Sequence, residues 1–179
     1  RAAYDENIRP ALKEEFGYKN DMQIPRLDKI VLNIGAGKAA VKDSKKAKSA
    51  QQDLTTIAGQ HAVVTRAKKS IATFKVREGM PLGLTVTLRR EKMYGFLETF
   101  IKLVLPRIRD FRGLNPNNFD KYGNYNVGIS DQLVFPQIDY DSVEQRRGFN
   151  ITIVTTGKNS QESFFLLKEL GLPFAKSEV

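Results

Sequence analysis

Residues Pro81–Arg89 alternate without a break. Leu82, Leu84, Val86 and Leu88 are apolar, and Gly83, Thr85, Thr87 and Arg89 between them are small, polar or charged. Successive side chains of a strand point to opposite faces, so this segment has one face to bury and one face to wet. Lys29–Ile34 repeats the pattern, with Ile30, Leu32 and Ile34 on one side and Lys29, Val31 and Asn33 on the other. Such strands belong to an antiparallel sheet covered on one side only. His61–Thr65, Phe74–Val76, Val127–Phe135 and Phe149–Thr155 are further strand candidates.

The cover comes from four segments with helical spacing. Ile8, Leu12 and Phe16 recur every four residues within Asp5–Phe16, and Gly17 is placed to stop the helix. Asp43–Ala58 carries Ala47, Ala50, Leu54, Ile57 and Ala58 on one stripe and Lys42, Lys45, Lys46 and Ser49 opposite, with Gly59 at its end. Glu91–Leu105 repeats Met93, Phe96, Leu97, Phe100, Ile101 and Val104 and meets Pro106. The last segment runs from Asn159 to Leu170, and Glu162 three residues on has the spacing of a capping box. The expected class is α+β: an antiparallel sheet with helices packed on one face and the other face left open. At 179 residues the chain is read as a single domain, with projecting loops at about 65–81 and 109–144. The stretch Phe111–Asn126 is rich in Asn and Gly, as a working loop would be.

Charge narrows the function. Residues 38–109 hold sixteen Lys and Arg against five Asp and Glu, while residues 1–37 balance at six against six and residues 110–179 hold seven against nine. A basic block inside a balanced protein is a surface for a polyanion, and nucleic acid is the commonest one. There is no cysteine and only one histidine, His61, so thiol chemistry and a multi-histidine metal site are excluded within one chain. No apolar run has the length of a membrane span, and the start at Arg1 is read as the loss of preceding residues.

Enzyme-like motifs are few. Gly35-Ala36-Gly37-Lys38-Ala39-Ala40 follows a strand and fits the G-x-G-x-x-A form of a dinucleotide loop. The helical pattern resumes late, however, and the acid some twenty residues on, Asp53, falls on a helix. Arg66 is the residue that an NADP reading would enlist. A glycine turn needed for backbone reasons is the plainer reading. Asp131, Asp139, Asp141 and Glu144 form an acidic group that suits a basic protein partner better than a metal. His61 has no sequence-linked nucleophile.

Thr65–Pro81 differs from these. Arg66, Lys68, Lys69, Lys75 and Arg77 surround two apolar anchors, Ile71 and Phe74, and the nearby Gly79 and Pro81 fit a projecting hairpin tip. Lysine and arginine bind phosphates, whereas Asn33, Gln60, Thr85 and Thr87 are short groups able to meet bases and 2′-hydroxyls. A generic DNA-binding module is the rival within the same class, although no zinc-finger, recognition-helix or RNP strand motif is present.

The chain also resembles the bacterial-type ribosomal protein L-five family. The likeness lies in GQHAVVTRAKKSIATFKVREG at Gly59–Gly79, VTLR at Val86–Arg89, MYGFL at Met93–Leu97 and LPRIRDFRGLN at Leu105–Asn115. It continues through GNY at Gly123–Tyr125, VFPQIDYD at Val134–Asp141, ITIVTT at Ile151–Thr156 and LPF at Leu172–Phe174. The resemblance implies a structural protein without catalysis or cofactor, which holds 5S ribosomal RNA in the central protuberance of the large subunit. It implies ribosomal RNA contacts at the sheet face and glycine turn. Those are Asn33, Gly35, Gly37, Gln60, Thr85, Thr87 and Arg89, with Lys38, Lys45 and Lys46 as phosphate partners. It implies a hairpin reaching the peptidyl-site tRNA through Arg66, Lys68, Lys69, Ser70, Lys75 and Arg77. It implies an inter-subunit bridge to small-subunit protein S-thirteen through Arg109, Asp110, Arg112, Asp139, Asp141 and Glu144. Further partners implied are 23S-type ribosomal RNA and other 5S-associated large-subunit proteins, in a bacterial cytoplasm or an organelle with a bacterial-type ribosome.

The chain departs from the family pattern in four places. FDKYGNY stands at Phe119–Tyr125 where the family often has FDGRGNY. Arg90 follows VTLR where glycine is usual. TTGK replaces TTAK at Gly157, and the terminal AKSEV is not a family pattern.

Overall fold

The computed structural model describes residues 4–35, 44–140, 143 and 146–175. Five strands form one sheet: β1 (Leu27–Gly35), β2 (Val63–Arg66), β3 (Pro81–Leu88), β4 (Tyr125–Ile129) and β5 (Phe149–Thr155), in the order β2-β3-β1-β5-β4. Among the described residues four α-helices accompany them: α1 (Arg9–Phe16), α2 (Ser44–Ala58), α3 (Arg90–Thr99) and α4 (Ser160–Glu169). The α+β class expected from the alternation is therefore the class observed.

Neighbouring strands run antiparallel. Val63 stands opposite Thr85 and Thr65 opposite Gly83, with an irregularity between Thr65 and Arg66. Thr85 Oγ1 donates to Leu32 O at 3.2 Å, while Gly83 lies against Ile34 O, so β3 descends as β1 climbs. At the other side Thr152 Oγ1 donates to Asn126 Oδ1 at 2.7 Å, and Gly128 lies beside Asn150. The alternation read from sequence is the alternation of burial. Ile30, Leu32, Ile34, Leu84, Val86 and Leu88 are all 2% exposed or less, whereas Asn33 is exposed and Thr85 and Thr87 are half-buried. Leu82, expected inward, is only half-buried.

The chain forms two compact units, each assembled from separated segments. The first comprises residues 1–30, 89–127 and 152–179, and the second 31–88 and 128–151. In the first unit Tyr4, Ile8, Leu12, Ile24 and Leu166 form a buried cluster, with Phe16, Tyr18, Phe165 and Leu170 packed against it. Tyr4 also donates its hydroxyl to Pro25 O at 2.9 Å, which pins the start of the chain. In the second unit α2 packs on β3 through a stripe that buries Ala50, Leu54 and Ile57.

Several elements end differently from expectation. The helix foreseen over Asp5–Phe16 opens with a π-helical turn at Tyr4–Ile8 before α1, which stops at Gly17 in the left-handed region at φ 62°. α3 loosens after Thr99 into a π turn (Phe100–Val104) and a 3-10 turn (Leu105–Arg107), because Pro106 cannot continue the α-helical ladder. Phe74–Val76 is not a strand. Ala72–Phe74 is a 3-10 turn closed by Lys75 at φ 53°, and only Ile71 and Val76 pair across the tip. The strand foreseen over Val127–Phe135 ends at Ile129, and Gln132–Val134 is a 3-10 turn.

The capping box at α4 is also altered. Asn159 makes no side-chain cap, and Glu162 Oε2 instead accepts from the amide of Lys158 at 3.0 Å, one residue earlier than the box requires.

Candidate RNA-binding surface

The second unit carries most of the predicted sheet site. Asn33 projects from β1 on the side opposite Leu32 and Ile34, and is exposed. Thr85 uses its hydroxyl hydrogen on Leu32 O, which leaves oxygen lone pairs to accept from outside. Gln60, between α2 and β2, donates its Nε2 to Thr87 O at 3.1 Å. That bond fixes the Gln60 amide on the last turns of β3, with its carbonyl oxygen and second N–H available as a directed pair. Asn33, Gln60, Thr85 and Thr87 are thus held by backbone hydrogen bonds or by the strand pleat, and a polar face held in this way binds without ordering itself first.

Gly35 closes β1 with neither a positive φ nor any atom within 4 Å of where a Cβ would sit. The expectation that this glycine serves a backbone need is not met at Gly35 itself; its smallness instead leaves the surface open to close approach. Gly37 and Lys38 lie outside the described residues. Lys45 and Lys46 fall in the first turn of α2.

The dinucleotide reading fails on the fold. The strand before this loop belongs to an antiparallel ladder with β3, not to a parallel βαβ unit. Asp53 is also engaged elsewhere: its Oδ2 accepts from Gln132 Nε2 at 3.1 Å and from Arg147 Nη1 at 3.3 Å. The pKa of Asp53 is raised, with burial the leading cause and Arg147 and Gln132 pulling in the other direction.

Arg89 belongs to the first unit, just past β3, and is exposed.

The hairpin β2–β3 presents the predicted finger. Lys68, Lys69, Lys75 and Arg77 are exposed. Arg66 is exposed as well, but its Nη1 donates to Gly79 O at 3.0 Å and so clips the base of the tip together. Ser70 is a scaffold residue too, since its Oγ accepts from the amide of Glu78 at 2.9 Å. Ile71 and Phe74, read as apolar anchors, are 46% and 72% exposed. The tip therefore offers an aromatic face among cations, the combination that meets ribose and base as well as phosphate.

Of the bridge set, Arg109, Asp110 and Arg112 are exposed in the first unit, with Asp110 at φ 54°. Asp139 is exposed in the second unit, and Asp141 and Glu144 lie outside the described residues. Asp131 is not part of an open acidic group. It accepts from the amide of Leu133 at 3.0 Å and pairs with Arg146 at 3.6 Å. Among the described residues no three His, Cys, Asp or Glu converge in a way that could hold a metal ion.

Sequence reasoning missed Val63, which stands opposite Thr85 on the outer face of β2 and is 61% exposed. Its place beside a polar threonine, on the face away from Leu84, was the available signal.

Two family models cover most of the chain: "Ribosomal protein L5" over residues 20–77, and the model of the C-terminus of the same ribosomal family over residues 81–174. Curated relatives extend the match end to end. The "Large ribosomal subunit protein uL5" of Desulfatibacillum aliphaticivorans is 56% identical over 98% of both chains. That of Desulfotalea psychrophila is 56% identical over 97% of this chain and 96% of its own, and that of Caldanaerobacter subterraneus is 54% identical over 98% of both. The chain belongs to the ribosomal protein L5 family. L5 proteins are structural components of the ribosome and not enzymes, which removes an enzyme built on the dinucleotide reading of Gly35–Ala40. The boundary between the two family models falls inside the β2–β3 hairpin, between Arg77 and Pro81.

Proposed function

We propose that this chain is a structural constituent of the large ribosomal subunit and binds 5S ribosomal RNA through the outer face of its sheet. The observation that carries the reading is the hydrogen-bonded set Gln60, Thr85 and Thr87 beside exposed Asn33, on the side of the sheet away from the core. Short fixed donors and acceptors read base edges and 2′-hydroxyls, and the lysines at the start of α2 neutralise phosphates. Binding of this kind is preorganised recognition without turnover, and it attaches 5S RNA in the central protuberance alongside 23S-type RNA and other 5S-associated proteins.

Two further contacts belong to the same proposal. The hairpin tip, with Lys68, Lys69, Lys75 and Arg77 around exposed Phe74, meets the peptidyl-site tRNA. The loop with Arg109, Asp110 and Arg112, together with the acidic loop containing Asp139, faces small-subunit protein S-thirteen. Sequencing the RNA that copurifies with the natively expressed protein tests the central part. Enrichment of 5S RNA over other transcripts supports it, and a profile that merely follows cellular RNA abundance contradicts it.

A further inference from the structure

Past α4 the chain turns back onto the loop that follows α3. Gly171, at φ 94°, closes α4, and the amides of Gly171 and Leu172 donate to Lys168 O and Leu167 O at 2.9 and 3.1 Å. Leu172–Ala175 then runs parallel to Gly113–Leu114. The Leu114 amide donates to Pro173 O at 2.8 Å, the Ala175 amide donates to Leu114 O at 2.9 Å, and Leu114 and Phe174 form a parallel bridge. All of these residues lie in the first unit.

The two segments fit closely. A Cβ at Gly113 would stand 2.5 Å from Ala175 N and 2.7 Å from its Cα, so only glycine lets the backbones approach this far. The Phe174 ring packs on Phe164, Tyr125 and Phe119, with centroids 4.7, 5.4 and 6.1 Å away. Tyr125 in turn donates its hydroxyl to Asn115 O. Leu114 is thus held by the backbone of Leu172–Ala175, and Asn115 by a ring that Phe174 packs against. The loop needs such a hold, because Asp110 sits at φ 54° and a strained residue of this kind persists only where surrounding contacts fix it. Arg109, Asp110 and Arg112 are exposed on the same loop.

We propose that Leu172–Ala175 is a strap: it and the loop at 109–118 order and release as one unit, with Phe174 as the catch. As a consequence, Arg109, Asp110 and Arg112 are presented in one fixed arrangement only while the strap is seated. What this does to the contact with small-subunit protein S-thirteen rests on the bridge reading above; the strap itself does not.

The test is amide exchange on the full chain, with binding of S-thirteen as a second arm. In the native chain Leu114 and Ala175 should open with the same free energy, as members of one local unit. Phe174→Ala should speed both by about tenfold through the lost ring contacts, with Leu84 and Val86 in the second unit unchanged. Phe174→Tyr keeps the ring and should exchange like the native chain. Ala175→Pro deletes the donor to Leu114 O, yet it should also speed the Leu114 amide, which bonds to Pro173. Faster exchange at Ala175 with Leu114 at its native rate overturns the proposal. So does equally faster exchange at Ile8 and Leu12, which would make Phe174 a core residue of the whole unit. In Gly113→Ala/Phe174→Ala, affinity for S-thirteen should fall by the fraction of seated straps that exchange reports for the same variant. Undiminished binding with the strap released overturns the consequence drawn from it, whereas a native chain that does not bind S-thirteen contradicts the bridge reading alone and leaves the exchange result to decide the strap.

Discussion

Arg147 Nη1 stands 3.3 Å from Asp53 Oδ2, joining two residues 94 positions apart, one on α2 and the other just before β5. Both side chains are close to buried, at 8% and 12% exposure, and Gln132 donates to the same oxygen. The pair therefore ties the loop after β4 to the helix whose first turn carries Lys45 and Lys46. Removing one partner of such a pair leaves the other desolvated and unmatched. Asp53→Ala should cost about 3 kcal/mol of stability. Asp53→Asn should cost less, because an amide oxygen still accepts from Gln132. Urea unfolding of both variants checks the order; equal losses would show that the charge rather than the hydrogen bond holds the loop.

Asp120 gives the acid response. Burial pushes its pKa up, but hydrogen bonds from the Asn124 side chain and from the amides of Asn124 and Tyr122 outweigh this and hold the pKa below its ordinary value. A depressed carboxylate stabilises the fold above its unfolded pKa and loses that contribution as pH falls through the folded one. Asp53 acts with the opposite sign, since its pKa is raised and protonation favours the folded form. Acidification toward pH 3 should therefore loosen the 118–126 turn before it loosens the Asp53 clasp. Amide exchange of Tyr122 and Asn124 against pH reads the order directly, and Asp120→Asn should flatten their dependence.

Gly83→Ala should destabilise the protein by about 2 kcal/mol, as overpacking does in a closed site. An added Cβ would lie 2.9 Å from Ile34 O and 3.0 Å from Thr65 Oγ1, and the first of these is backbone in the neighbouring strand. Thermal melting checks this. A neutral result would mean that β1 and β3 can separate locally.

Tyr125→Phe should cost about 1 kcal/mol, the ordinary net worth of one hydrogen bond. The Tyr125 hydroxyl donates to Asn115 O at 2.9 Å from a fully buried ring, and burial pushes its pKa up to about 12. The loss should appear as faster exchange around Asn115–Asn118 with β5 unchanged.

The contrast between these pairs and the strands shows what the sequence could disclose. Ile30, Leu32 and Ile34 announce their face because burial in a one-sided sheet imposes a period of two on neighbouring residues. The stripe of α2 is legible in the same way at a period near four. Phe74–Val76 misleads because aromatic and β-branched residues favour strands, whereas a tight tip can be closed only by a turn, and Lys75 takes the left-handed position there. Asp53, Arg147 and Gln132 carry no local pattern at all, since their association depends on how the loop after β4 folds over α2. The outward placement of Asn33 and Thr85 was legible residue by residue, because strand alternation turns both away from the buried face. The bond from Gln60 to Thr87 O was not, since only the fold brings those two residues together.

Selective binding of 5S RNA by the outer face of the sheet is the central proposal. The direct measurement is the affinity of the purified full chain for 5S ribosomal RNA and for a shuffled RNA of equal length at physiological salt, repeated with Gln60→Ala and Asn33→Ala. The native chain should strongly prefer 5S RNA, and each substitution should reduce that binding by about 1–3 kcal/mol with little change for the shuffled RNA. Equal affinity for the two RNAs, or substitutions that weaken both alike, would contradict it.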